Sequence, residues 1–222
     1  MNKSFTLVEL LVVIAILGIL ASMLTPALKK ARIVAESTVC LNKLRELGIA
    51  AQLYADDNAG IYVVSSDSWW TSMMYKGNYL EMKESVMTCP SLAFEGDWLN
   101  GSHKFSKYYY TYGVARDYKR NPRPGYKKAN DPGSTTVTLS QVLSPRKFFY
   151  YADSARETDG KITQILAFEW HGNTKTGGIH TRHNEKANIW FLDGHTESLD
   201  SYDLRELGIF GGWTEDQVQI KF

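Results

Sequence analysis

From position 5 to position 24 the chain is apolar everywhere except at Thr6, Glu9 and Ser22. At about 1.5 Å per residue, a helix of that length reaches roughly 30 Å, the thickness of a bilayer's hydrocarbon core. The run continues through Thr25-Pro26-Ala27-Leu28 and then changes character instead of stopping. Between Ala27 and Tyr54 there is no Gly or Pro except Gly48, and Val34, Leu41, Leu44, Gly48, Ala51 and Ala55 fall on one stripe. That spacing predicts an amphipathic helix facing a core. Asp56-Asp57-Asn58-Ala59-Gly60 supplies the stop. The pattern therefore predicts one long helix over residues 5 to about 56, half in a membrane and half packed on a domain.

Beyond Gly60 the texture becomes short apolar runs separated by turn clusters. Residues 106–115, 135–143, 147–152, 162–169, 187–192 and 195–199 read as strands by their aromatic and β-branched content. Asn121-Pro122-Arg123-Pro124-Gly125 and Asn130-Asp131-Pro132-Gly133 are loop punctuation. With Lys119, Arg120, Lys127 and Lys128 they predict a mobile, basic surface loop. A helix followed by strands predicts an α+β fold, with an antiparallel sheet laid against the helix.

Composition narrows the functions. At 222 residues and 44% hydrophobic content, the chain has room for a membrane helix and one globular domain. A net charge of +1 offers no clustered basic face for nucleic acid. There is no internal repeat and no common Gly-rich phosphate loop.

The acid in the apolar run calls for a reason, because an ionised Glu9 in a span costs about 3 kcal/mol on insertion scales. A cleavable secretory signal needs a small-residue exit after its apolar core, and none is clear here. A plain anchor explains the length but leaves Glu9 without a role. The residues resemble instead the N-terminal signal of type IV pilins and type II secretion pseudopilins. In that resemblance Met1-Asn2-Lys3-Ser4 is the basic leader (1–4), and a prepilin peptidase cuts between Ser4 and Phe5 and methylates the new amine. Ser4 stands where the family usually has glycine. Glu9 falls at the family's acidic position and Pro26 at its helix-kinking proline. The resemblance implies that Glu9 pairs with the amine of a neighbouring subunit, since a buried charge is tolerated only when paired.

The resemblance extends further. Ala31-Arg32, Cys40 to Leu44, Leu47-Gly48 and Tyr54 to Gly60 are similar to pilin-like proteins that carry a C-terminal His–nine residues–Asp-Gly signature. Here that signature is His183, Asn184 to Leu192, then Asp193-Gly194. Cys89-Pro90-Ser91 is similar to the same group's mid-chain motif. The implied organisation is an assembly helix over 5–28, its amphipathic continuation over 29–58 and a sheet domain over 59–222. The implied partners are prepilin peptidase, the inner membrane and other subunits of a homo- or heteropolymer, with no nucleic acid. Lys29, Lys30 and Arg32 follow the span and only Lys3 precedes it, so charge alone would place the domain in the cytoplasm. The resemblance implies the reverse, a periplasmic domain on a single-pass anchor.

Several residues then become candidates for chemistry. Asp193-Gly194 between two strand-like runs predicts a tight hairpin with positive φ at both central residues. His180, His183, Asp193 and His195 lie close in sequence and could hold a divalent metal. A side chain of His183 bonded to the hairpin backbone, with no metal and no cofactor, is the preferred expectation. Cys40 and Cys89 are the only two cysteines. Export to an oxidising space favours a disulfide between them, worth about 2–4 kcal/mol, with two buried free thiols as the alternative. The acid pairs Asp56-Asp57 and Asp153 with Glu169 could be read as glycosidase carboxylates or calcium ligands, but they form no ordered calcium loop, and Asp56 and Asp57 more simply end the helix. Tyr108-Tyr109-Tyr110-Thr111-Tyr112 and Trp69-Trp70 could stack on glycans, although packing is the commoner fate of aromatics. The reading is a non-enzymatic fibre subunit. A displayed glycan-binding protein and an anchored metal-dependent hydrolase around His180, His183 and Asp193 are the alternatives.

Overall fold

A computed structural model describes residues 6–65, 70–81, 84–92, 111–116, 126–128, 135–158, 161–165, 167–169, 177–214 and 219–221. Helix α1 runs unbroken over Leu7–Asp57 with Pro26 inside it, roughly 75 Å at the usual rise. Proline lacks an N–H, so the carbonyl four residues back loses its helical donor. Hydroxyls work on the carbonyls just before it: Ser22 Oγ donates to Ile19 O at 2.7 Å, and Thr25 Oγ1 to Ala21 O at 2.9 Å. The helix closes where its side chains favour a turn. Asn58 Nδ2 donates to Tyr54 O at 2.7 Å, and Ala59 and Gly60 take φ of 55° and 73°, a left-handed end.

Short helices follow as α2 (Trp70–Lys76), α3 (Glu84–Met87) and α4 (Ser201–Glu206). The strands are β1 (Ile61–Ser65), β2 (Gly113–Arg116), β3 (Tyr126–Lys128), β4 (Thr135–Thr138), β5 (Phe149–Ala152), β6 (Ser154–Thr158) and β7 (Lys161–Thr163). They continue as β8 (Ala167–Glu169), β9 (Gly178–Thr181), β10 (Ala187–Phe191), β11 (Thr196–Leu199), β12 (Gly211–Thr214) and β13 (Gln219–Lys221). Among the described residues they form a three-stranded sheet, β1-β4-β3, and two five-stranded sheets, β11-β10-β5-β2-β8 and β13-β12-β9-β6-β7. Pairing is antiparallel except for β2 with β8 and β9 with β12. The architecture is α+β, a long helix on mostly antiparallel sheets.

The central sheet is buried on both faces, and its alternation divides two cores. Trp190 and Leu192 join Tyr150, Tyr151 and Val114 under the helix. Ile189 and Phe191 turn the other way, to Phe149, Phe168, Ile179 and Leu204. The helix meets the first core through small residues. Gly48 is so close to Trp190 that a β-carbon there would sit 2.1 Å from the indole ring.

Several expectations change. Val34 is 64% exposed, so the buried stripe starts lower, at Cys40, and runs through Leu44, Leu47, Gly48, Ala51 and Ala55. Just before Cys40 the helix touches the domain through polar groups, as Ser37 does with Asn188 of β10. The run 162–169 is not one strand: it breaks at Gln164-Ile165, where Gln164 turns its amide to other backbone. Residues 139–141 leave the expected strand as a single turn of 3₁₀ helix. Lys127 and Lys128, expected in a loop, lie in β3 against β4. Lys119, Arg120, 121–125 and 130–133 lie outside the described residues, as do Trp69 and Tyr108 to Tyr110. Of the aromatics weighed as glycan platforms, Trp70 and Tyr112 are buried in the first core, the commoner fate of such side chains.

Candidate functional site

The N-terminal site begins with how the helix starts. Thr6 is its N-cap, and its hydroxyl accepts from the Glu9 N–H at 3.3 Å. Glu9 reaches back: one carboxylate oxygen accepts from Thr6 N–H at 2.8 Å and Thr6 O–H at 2.7 Å. This is a capping box, a reciprocal bond that satisfies the free donors of a helix start. Sequence reading assigned Glu9 to a partner and missed this use, although Thr-x-x-Glu before an apolar run is its legible sign. In the single chain the acid is therefore locally held and free of any tertiary partner the structure describes. No residue of α1 before Cys40 is buried. Leu7, Leu10, Leu11, Ile14 and Leu17 stand more than half exposed. A contiguous apolar surface of this size marks a membrane or protein interface. Ser4 and Phe5 lie outside the described residues.

A second site lies where α1 enters the domain. Cys40 and Cys89 form a disulfide with Cα atoms 5.4 Å apart. The Cys89-Pro90-Ser91 segment is held from both sides. On the helix side, Lys43 Nζ donates to Thr88 O at 2.8 Å and Ser91 Oγ to Glu36 at 2.9 Å. On the other, Gln164 accepts from Cys89 N–H at 3.2 Å and donates to the carbonyls of Cys89 and Leu92, each at 2.9 Å. His183 comes up behind: its Nε2 is 3.3 Å from Cys89 Sγ and 3.3 Å from Asp153 Oδ2.

Asp153 is the buried centre of this network. It sits in the single-residue step between β5 and β6, accepts from Asn188 N–H at 2.8 Å, and has Arg182 Nε at 3.6 Å. That last distance is an ion pair without a hydrogen bond. Burial works to raise its carboxyl, but the charge of Arg182, His183 and the Asn188 N–H outweigh it and hold the group below its usual range. Arg182 spends one donor on Ser154 O at 2.7 Å. Its Nε and Nη1, Asp153 Oδ1 and His183 Nδ1 have no hydrogen-bond partner among the described residues. Asn188 carries the network back to the helix, donating to Ser37 O at 3.2 Å.

The spacing of the His–nine–Asp-Gly signature follows from this layout. The nine intervening residues make one turn, strand β10 and the start of the next turn. His183 thus stands at the buried end of β10 and Asp193-Gly194 at its other end. Two expectations are corrected here. The His183 side chain does not bond the Asp193-Gly194 hairpin; its main chain exchanges bonds with Lys186 in the β9–β10 turn, at 3.1 and 3.2 Å. The two successive positive φ values lie at Asn184 and Glu185, 54° and 62°, in that same turn. At the other end only Gly194 has positive φ, 94°. Phe191 N–H donates to His195 O and Gly194 N–H to Phe191 O, a three-residue loop with Gly in the left-handed position.

The less favoured candidate cluster of His180, His183, Asp193 and His195 does not assemble. Asp193 bonds His195 at the partly exposed tip of the β10–β11 hairpin, with His195 stacked on Phe191. His180 is buried on β9 and both its ring nitrogens lack partners among the described residues. Burial first, then the positive charge of Arg182, press its pKa down to about 3, so it is neutral at pH 7. Asp57 binds Tyr79 O–H at 2.8 Å, at the helix end. The group that does converge is Cys40, Cys89 and His183.

Comparison with known proteins bears on the first site. A family described as the prokaryotic N-terminal methylation motif matches residues 1–25. The chain therefore carries the prepilin-type signature, ahead of an α+β domain whose first helix leaves its apolar half bare. No curated protein and no solved structure matches the chain.

Proposed function

We propose that this chain is a structural subunit of a type IV pilus-like or type II secretion pseudopilus fibre, not an enzyme. The observation that carries this reading is the bare apolar half of α1 with its single acid four residues after Phe5. The subunit waits in the inner membrane with its domain on the periplasmic side. Prepilin peptidase cuts between Ser4 and Phe5 and methylates the amine. The helix then leaves the lipid for the bundle at the fibre axis, where its apolar surface meets the same surface of neighbouring subunits. Glu9 exchanges its capping bonds to Thr6 for the amine of a neighbour, which makes one axial register electrically neutral.

Two variants separate the capping role of Glu9 from the pairing role. Glu9→Gln keeps a side chain able to complete a capping box but carries no charge. Glu9→Leu loses both. If pairing is the function, each variant inserts into the membrane and each fails to enter fibres. Normal incorporation of Glu9→Gln, scored in sheared fibre fractions, would show that the acid only caps the helix and would remove the assembly reading's main support.

A further inference from the structure

Cys40 Sγ, Cys89 Sγ and His183 Nε2 lie within 4.8 Å of one another and are all buried. A cystine gains little from such a neighbour, since its sulfur is only a weak acceptor. Burying an imidazole against a carboxylate and a guanidinium is, in contrast, costly for a simple cross-link. Two thiolates and a neutral imidazole around a divalent ion, however, are the donors of a sulfur–nitrogen zinc site, and their net charge is zero. With metal–sulfur near 2.3 Å and metal–nitrogen near 2.0 Å, the sulfur–nitrogen edge of a tetrahedron is about 3.5 Å. The observed separation of Cys89 Sγ and His183 Nε2 is 3.3 Å. Gln164, Lys43 and Ser91 hold the segment on either side of Cys89 without touching the sulfurs.

We infer that the dithiol form of the domain is a buried site for a zinc-class divalent ion, held by Cys40, Cys89 and His183. The fourth position falls to Asp153, whose Oδ2 already lies 3.3 Å from the ligating nitrogen. Metal binding requires Nε2 to be bare, so the ring proton resides on Nδ1, an atom with no present partner among the described residues. Oxidation empties the site. A small disulfide of the glutathione class takes two electrons from the bound thiolates, the Cys40–Cys89 bond forms, two small thiolates leave and the ion is released. The domain is then locked by metal before oxidation and by the disulfide after it. The ligands are buried, so loading and oxidation both go through local opening around Cys89.

The test uses the full-length chain in detergent, reduced with a phosphine, and Co(II) as the probe. The expected result is one cobalt per chain with thiolate-to-cobalt charge-transfer absorption, displaced by Zn(II). The oxidised chain binds none, and titration with oxidised glutathione releases the cobalt as the thiols disappear. His183→Asn weakens binding by at least the roughly 10- to 100-fold that loss of an outer partner costs a metal site. A reduced chain that takes up no cobalt overturns the inference, whether it remains folded or not. Equal affinity in His183→Asn also overturns it, because two thiols alone would then account for the binding.

Discussion

Residues 7–39 and 40–57 of α1 share one helical backbone, yet the more hydrophobic stretch is the one left bare. Before Cys40 the helix presents Leu, Ile and Val to its surroundings; after it, the face that is buried is built from Cys40, Leu44, Leu47, Gly48, Ala51 and Ala55. Hydrophobicity therefore does not say which part of this helix the domain covers. Small residues do, as at Gly48, where the backbone lies close against Trp190. The apolar half is left for something outside the chain, as the prepilin-type signature on it implies.

The comparison can be broken most severely at the network that fastens the second half. Asp153→Asn leaves Arg182 buried without its counter-charge, a loss expected to be about 3–5 kcal/mol. Urea unfolding of the full-length chain in detergent would measure it; the membrane insertion of the first half should not change. An unaltered midpoint would mean that the ion pair does not hold the domain on the helix.

A smaller effect comes from acid. The folded His180 titrates at about 3 against an ordinary 6.5. Between those values the unfolded chain binds a proton that the folded one excludes, so stability falls as pH drops from 6.5 toward 3 and is complete above 6.5. The loss should be on the order of a few kcal/mol and should shrink in His180→Gln. A flat stability profile between pH 7 and pH 4 would contradict the neutral, buried state of this ring.

The two glycines of the helix sharpen the contrast at the low end. A β-carbon at Gly48 meets the Trp190 ring at 2.1 Å, whereas one at Gly18 meets nothing within 4 Å. Gly48→Ala should destabilise the domain by about 1–3 kcal/mol. Gly18→Ala should leave domain stability within about 0.5 kcal/mol of the parent. Equal responses would mean that the two halves are not packed differently.

Much of this was legible in the residues, for reasons that can be named. The helix, its bare half and the stop at Asp56 to Gly60 follow from local periodicity and turn chemistry. The prepilin-type segment follows from the fixed spacing of Phe5, Glu9 and Pro26. The second site was only half visible. The pairing of Cys40 with Cys89 was an expectation from the oxidising context, but nothing local said that His183 meets them. Arg182 and Gln164 carried no signal at all and Asp153 only one for another role, since their roles arise from β5, β6 and the β9–β10 turn coming together over long sequence distances. The hairpin error has a similar origin. Asp-Gly predicts a two-residue turn, and the register of β10 with β11 set a three-residue loop instead, while Asn184-Glu185 took the two positive φ values.

The central claim is that the bare half of α1 is made for assembly after processing. Mass and N-terminal sequence of the mature protein, isolated from cells that contain the prepilin peptidase, test it most directly. The account predicts a chain that begins at N-methylated Phe5. A mature protein that still begins at Met1 would contradict it and leave a permanently anchored domain.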